Sequence, residues 1–337
     1  MRGAGLRRRA ARWRRAAGFL LLASATAGCA GSDKGTEFER MAAREIAAHP
    51  ERYSFGESRA VLIGRDGVPR GLVWGTMHVD YGDGTVLPRP IRDRFSEAAS
   101  LSVEYDLVGR SEDERVRLRR RFTEILNRHD PAALARLDPA TRAALDAAGL
   151  PSGSTERYSL FGLSQLVTAR ATRDTTRPLT PSIDFVDGLL MRFARNRGIP
   201  VHSLEDPNHQ FDAFFGGDPN GPKAASGLRS ALRCAADTQD VLRWARRTYA
   251  QGRVAVMGAA LEAFCTDPAD APSDAERRAR VLTRRNVVMA DGIEAVLAEP
   301  GFHFVAIGAA HLLGTDGVPA LLQARGWTVT PCPQDRC

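Results

Sequence analysis

Leu72-Val73-Trp74-Gly75-Thr76-Met77-His78 and Phe304-Val305-Ala306-Ile307-Gly308-Ala309-Ala310-His311 share one plan: an apolar run reaches a glycine, then two residues, then a histidine. Such a run reads as a buried strand, which supplies a rigid base. The glycine lets the backbone turn or approach a neighbour closely, and the histidine emerges at the strand end, where α/β proteins build their sites. Two neighbouring strands of this kind would bring both histidines together. Each histidine taken alone also suits a packed core position.

Around these runs, residues 58–64 and 71–77 are β-rich and flank Arg65-Asp66-Gly67-Val68-Pro69-Arg70, whose Asp-Gly pair signals a hairpin. Further strands are predicted at 101–105, 199–204, 302–307 and 327–330. Helices are predicted over 91–98, 112–127, 131–136, 139–148, 156–172, 183–195, 227–250, 254–264, 273–298 and 318–325. Gly198 suits a C-cap position, and Ser273 with Glu276 reads as a capping box. Strands interleaved with helices predict an α/β fold with a sheet between helical layers. The hairpin makes that sheet mixed, and the helical middle, residues 107–180, reads as a cap or insertion.

The first fifteen residues hold seven arginines and no acid, and the next ten are apolar or small, the pattern of a signal peptide over 1–28. The run is too short to cross a bilayer, which takes about 20 apolar residues. Thr26-Ala27-Gly28-Cys29 resembles a bacterial lipobox, with Thr26 in place of the usual leucine. Cys29 is therefore the expected lipidation site, and the lipid the expected membrane contact, on the periplasmic side of the cell envelope. Cleavage at one of the nearby Ala-x-Ala patterns would instead release a soluble secreted protein. Residues 30–36 read as a Gly/Ser/Lys tether, so 29–56 is expected to form a tether and an N-terminal helix before the body at 57–331.

Removing the seven leader arginines from 47 basic residues leaves 40, against 40 acidic ones. A neutral mature chain lacks the excess of Lys and Arg that nucleic-acid binding draws on. Four cysteines besides Cys29 allow three pairings. Sequence nearness favours Cys234 with Cys265 and Cys332 with Cys337, the latter closing a loop at 332–337, as an oxidising compartment permits. The chain has no Gly-x-Ser-x-Gly elbow, no His-Glu-x-x-His helix and no nucleotide-binding glycine loop, so those classes and nucleotide partners lack support.

Leu101-Ser102-Val103-Glu104-Tyr105-Asp106 places a carboxylate at the end of another apolar strand. A carboxylate buried there needs a partner or a metal, because isolated charge in a low-dielectric interior is costly. Two histidines and a carboxylate suit a divalent transition metal with open positions.

Trp74-Gly75-Thr76-Met77-His78, Leu87-Pro88, Val103-Glu104-Tyr105-Asp106, Pro200-Val201-His202-Ser203-Leu204-Glu205, Arg285-Asn286-Val287-Val288-Met289-Ala290 and Val305-Ala306-Ile307-Gly308-Ala309-Ala310-His311-Leu312-Leu313-Gly314 occur in an order that resembles the TraB/PrgY/GumN family, related to the Tiki metalloproteases. The resemblance spans 59–329 and implies divalent-metal-dependent hydrolysis of a peptide or related amide. Manganese, cobalt, zinc and iron are the candidate metals. It implies His78 and His311 as metal ligands, Glu104 as ligand or general base, and Arg285 as a stabiliser of developing negative charge. Glu205 and Asn286 fall on family-like positions as substrate-side or supporting residues. The loosely matching middle region leaves the substrate open. The alternative is a non-catalytic envelope lipoprotein that binds peptide or glycan through the same cleft.

Overall fold

In the computed structural model the described residues are 33–77, 87–106, 108–172, 186–215 and 217–337. The signal peptide, Cys29 and His78 lie outside them. In chain order, α1 (Asp33–Ala48) precedes the hairpin of β1 (Ala60–Arg65) and β2 (Val68–Thr76), and α2 (Arg89–Ser96) leads into β3 (Ser100–Val103). There follow α3 (Glu112–Leu126), α4 (Pro131–Ala135), α5 (Pro139–Ala147), α6 (Ser154–Arg157), α7 (Leu160–Ala171), α8 (Val186–Asn196), β4 (Val201–Ser203) and α9 (Pro207–Phe215). A second helical run comprises α10 (Pro222–Cys234), α11 (Thr238–Ala250), α12 (Val254–Ala263), α13 (Ala271–Arg278) and α14 (Arg284–Ala298). Last come β5 (His303–Gly308), α15 (Val318–Ala324) and β6 (Thr328–Pro331).

Among the described residues the six strands form one mixed sheet in the order β4-β3-β5-β2-β1-β6. Strands β4, β3, β5 and β2 are mutually parallel, while β1 runs antiparallel to both β2 and β6. The hairpin closes through Asp66 and Gly67, both left-handed with φ of 53° and 75°, the combination a two-residue turn between twisted strands requires. In register, Gly75 pairs with Ile307 and Thr76 with Gly308. The two Gly-x-x-His motifs therefore leave the sheet from adjacent parallel strands at the same edge.

Alternation along the strands sorts the core into two faces. Leu72, Trp74, Leu101, Val103, Phe304 and Ala306 pack with α1, α2, α8, α11 and α12. Val61, Ile63, Val73, Val305 and Ile307 pack on the other face with α14 and α15. The helical middle has an apolar core of its own, built from α4, α5 and α7 and completed by Leu228 of α10, which lies beyond 107–180.

Four local expectations need correction. The helix predicted over 156–172 is two, because Ser159 caps α7 by accepting from the Gly162 N–H. The one predicted over 227–250 breaks at 235–237 between α10 and α11. The Ser273–Glu276 capping box does not form. Pro272 suits the first helical turn, so α13 starts at Ala271, and Glu276 instead pairs with Lys223 at 2.5 Å. Finally, residues 33–36 of the expected tether form the first turn of α1, where Lys34 reaches Asp237 at 2.5 Å and Asp240 at 2.9 Å while Phe38 and Ala42 enter the core.

Both nearest-neighbour disulfides are present, Cys234–Cys265 with Cα atoms 5.9 Å apart and Cys332–Cys337 at 4.8 Å. The first closes a sequence separation of 31 and ties α10 to the end of α12, whereas the second closes only 5. Loop-closure entropy then predicts that Cys234→Ser/Cys265→Ser costs about 3–4 kcal/mol and Cys332→Ser/Cys337→Ser about 2 kcal/mol. Urea denaturation under non-reducing conditions checks this, and equal losses would show that loop entropy does not set the difference.

Candidate active site

The carboxyl ends of the parallel strands carry the chain's chemistry to one place. Glu104 follows β3, Glu205 follows β4, and His311 sits in the short turn Ala309–Leu312 that follows β5. Opposite them α14 presents Arg285 and Asn286. All five are buried, with exposures of 5% for Glu104, 4% for Glu205 and Arg285, 3% for His311 and 1% for Asn286. Arg285 is thus no solvated helix face, and Glu205, although it directly precedes Asp206 and Pro207 at the start of α9, is turned into the interior.

Arg285 joins the two acids. Its Nη2 donates to Glu104 Oε2 at 2.5 Å and to Glu205 Oε2 at 2.6 Å, and its Nε donates to Glu205 at 3.0 and 3.1 Å. Nη1 donates to the Val281 carbonyl at 3.2 Å and lies 3.4 Å from His311 Nε2. Val281 belongs to the π-helical turn Ala279–Thr283 that links α13 to α14 without a break. Such wide turns recur at functional sites because they loosen the backbone bonding of the helix. Here the Arg285 side chain takes up a carbonyl of that turn.

Burial pushes the Glu205 carboxyl above its ordinary range, against the opposing pull of Arg285. For Arg285, burial disfavours the charge, but Glu104 and Glu205 outweigh it and hold the guanidinium above its ordinary value.

His311 is oriented from behind. Asn286 Nδ2 donates to the Asp316 carbonyl at 2.8 Å, which turns its Oδ1 towards His311 Nδ1 at 2.5 Å. That oxygen can only accept, so Nδ1 carries the proton and the lone pair sits on Nε2. Nε2 faces Glu104 Oε1 at 3.7 Å. Glu104 Oε1 also accepts from the Gly308 N–H at 2.6 Å, and its Oε2 from Gln210 Nε2 at 3.0 Å. Gly75 serves the same assembly, since a Cβ there would lie 3.0 Å from Ala309 Cα and 2.6 Å from Leu312 Cδ1. The glycine of the first motif thus admits the turn that carries the histidine of the second.

The other histidines serve elsewhere. His303 is buried between Ser100 Oγ at 2.8 Å and the Glu299 carbonyl at 3.2 Å, while His202 and His209 are exposed. Gln210 was not legible as a site residue, because a lone glutamine on a short helix carries no spacing signal. The Gly308 N–H was equally silent, being backbone.

A metal has a donor pair here. A cation bound through nitrogen and oxygen at about 2.0–2.2 Å each can span two donors up to about 4 Å apart, and His311 Nε2 and Glu104 Oε1 fall within that reach. The described residues contain no group of three metal-ligating side chains, and His78 lies outside them.

Two carboxylates and a histidine carried from the ends of parallel strands to one buried arginine define a three-layer α/β protein with a buried polar cluster at the carboxyl ends of its strands. The chain belongs to the TraB/PrgY/gumN family, whose family model matches residues 63–331. Neither the curated proteins nor the solved structures contain a significant match to it.

Removing one partner of a buried charge network strands the others. Arg285→Met should therefore destabilise the fold by about 3–5 kcal/mol, with Glu205→Gln in the same chain recovering part of the loss. Chemical denaturation of the single and double variants checks this. A single variant within about 0.5 kcal/mol of the parent would show that the arginine does not hold the carboxylates.

Proposed function

We propose that this protein is a divalent-metal-dependent hydrolase of peptide or related amide bonds, exported and held at the periplasmic side of the cell envelope by lipid on Cys29. The observation that carries the catalytic part is the approach of His311 Nε2 and Glu104 Oε1, with the imidazole tautomer set by Asn286. His311 and Glu104 would hold the metal, with His78 of the first motif completing the set. Manganese, cobalt, zinc and iron all suit this mix of nitrogen and oxygen donors. When bound, such a metal polarises a carbonyl and brings the pKa of bound water towards neutrality.

The chain's own residues prepare that chemistry. Asn286 keeps the proton on His311 Nδ1, so Nε2 can ligate without first losing one. The Gly308 N–H, Arg285 and Gln210 together fill most of the lone-pair sites of Glu104. A carboxylate anchored by three donors suits a ligand better than a proton shuttle. Arg285 is committed in the same way, since Nε and Nη2 hold the carboxylates and Nη1 meets Val281 and His311. Its role is to hold two like charges side by side; stabilising negative charge on a substrate would require it to leave them. For the anchor, the support is the Thr26–Cys29 motif and the start of α1 at Asp33, which seats the body a few residues from the proposed lipid.

Elemental analysis of the mature chain with Cys29→Ser tests the reading, beside a His78→Ala/His311→Ala variant. Near-stoichiometric manganese, cobalt, zinc or iron should be present in the first and lost in the second, and hydrolysis of a peptide library should fall by at least about a hundredfold with it. A chain that stays metal-free after incubation with each ion would sink the hydrolase reading in favour of a peptide- or glycan-binding lipoprotein.

A further inference from the structure

The C-terminal loop is tied to the site through a chain of contacts. Asp335 lies in the loop that Cys332–Cys337 closes, and it is buried while Pro333, Gln334, Arg336 and Cys337 are exposed. Its Oδ1 accepts from Arg59 Nε at 3.1 Å and its Oδ2 from Arg59 Nη2, in an ion pair whose side chains are only 10% and 11% exposed. The Arg59 guanidinium stands 5.0 Å from the ring centroids of both Trp74 and Tyr249, where a cation is attracted to the two aromatic faces. These neighbours converge on Gly75. Its N–H donates to the Arg59 carbonyl at 2.7 Å, and its carbonyl accepts from the Tyr249 hydroxyl at 2.5 Å. Gly75 in turn sits against Ala309 and Leu312, which bound the turn that carries His311. The next residue, Thr76, pairs with Gly308, whose N–H holds Glu104.

The loop depends on its bridge for this shape. Gln334 and Asp335 have φ of 53° and 58°, a left-handed pair that is costly for residues with a side chain and persists only where the surroundings impose it. Cys332 itself is fixed to the body, its N–H donating to the Ala60 carbonyl at 2.9 Å and its carbonyl accepting from Ser58 Oγ at 2.6 Å. Opening the bridge therefore leaves Cys332 in place and frees the residues after it. The bridge is also within reach of a reductant, since Cys337 is exposed, and exposed disulfides are the labile ones.

We infer that Cys332–Cys337 is a redox-sensitive latch that acts through Asp335 and Arg59 to hold Gly75, and with it the turn that carries His311. The reductant is a dithiol. Its thiolate attacks Cys337 Sγ, the S–S bond breaks, and Cys332 leaves as a thiolate that takes up a proton. The second thiol then attacks the mixed disulfide and releases Cys337, so that two electrons and two protons pass to the bridge and the dithiol ends as a disulfide. Asp335 is then free to leave the left-handed region, and Arg59 loses the carboxylate that fixes it between the two rings. The latch rests on the packing around Gly75 and not on the hydrolase reading.

Amide hydrogen exchange in the mature Cys29→Ser chain tests the latch with neither substrate nor metal, so it fails separately from the metal-content experiment. Local opening sets the rate at which a buried amide exchanges. In Cys332→Ser/Cys337→Ser the Gly75 and Gly308 amides should exchange at least about tenfold faster relative to Val305 in the middle of β5. Asp335→Asn keeps a residue that tolerates a left-handed φ but removes the charge, and with the bridge intact it should speed both amides about three- to tenfold. Added to the cysteine pair it should change nothing further, because both act through one contact. Dithiothreitol should open Cys332–Cys337 before Cys234–Cys265, read by alkylation of Cys337 and Cys234, and reproduce the faster exchange. An equal rise at Val305, an unchanged Gly75 or Gly308 in either variant, full additivity, or earlier opening of Cys234–Cys265 would overturn the latch.

Discussion

One buried guanidinium makes the sheet edge tenable. Glu104 and Glu205 leave neighbouring parallel strands and would place two like charges side by side in an interior that tolerates neither alone. Arg285 satisfies both through one rigid fork, which an ammonium on a flexible stem could not match in geometry. The arginine sits at the start of α14, directly after a π-helical turn, and Asn286 follows it in the chain. One helix end therefore sets both the charge balance of the site and the tautomer of its histidine.

The sheet supplies the rest of the precision. Because β2 and β5 pair in register, the glycines of the two Gly-x-x-His motifs stand one residue apart across the ladder, and the backbone N–H of Gly308 is delivered onto Glu104. Regular hydrogen bonding keeps these positions rigid, which sites on long loops do not achieve. The helical layers close the faces, and the cap approaches the site through α9.

Much of the framework was legible in the chain. Period-two and continuous apolar runs marked the strands, Asp66-Gly67 marked the hairpin, and the interleaving of runs marked the layers. Glu104, Glu205, Arg285, Asn286 and His311 were all singled out, and they do converge. Helix ends are less legible. Ser159 and Pro272 act as starts only when neighbouring turns allow it, so long helical stretches were joined or begun late.

The order of apolar runs and turn residues by itself determined the α/β class and the mixed sheet, because periodicity and turn chemistry act over a few neighbours; the strand-end pattern pointed to Glu104 and His311, and the family resemblance to Glu205, Arg285 and Asn286. Only the tertiary structure decided that Arg285 is spent on two carboxylates, that Asn286 accepts from His311 Nδ1 and so fixes its tautomer, and that Gln210 reaches Glu104. Those facts depend on contacts between residues up to 181 positions apart, and a side chain's partner across such a separation is set by packing, which no local pattern encodes.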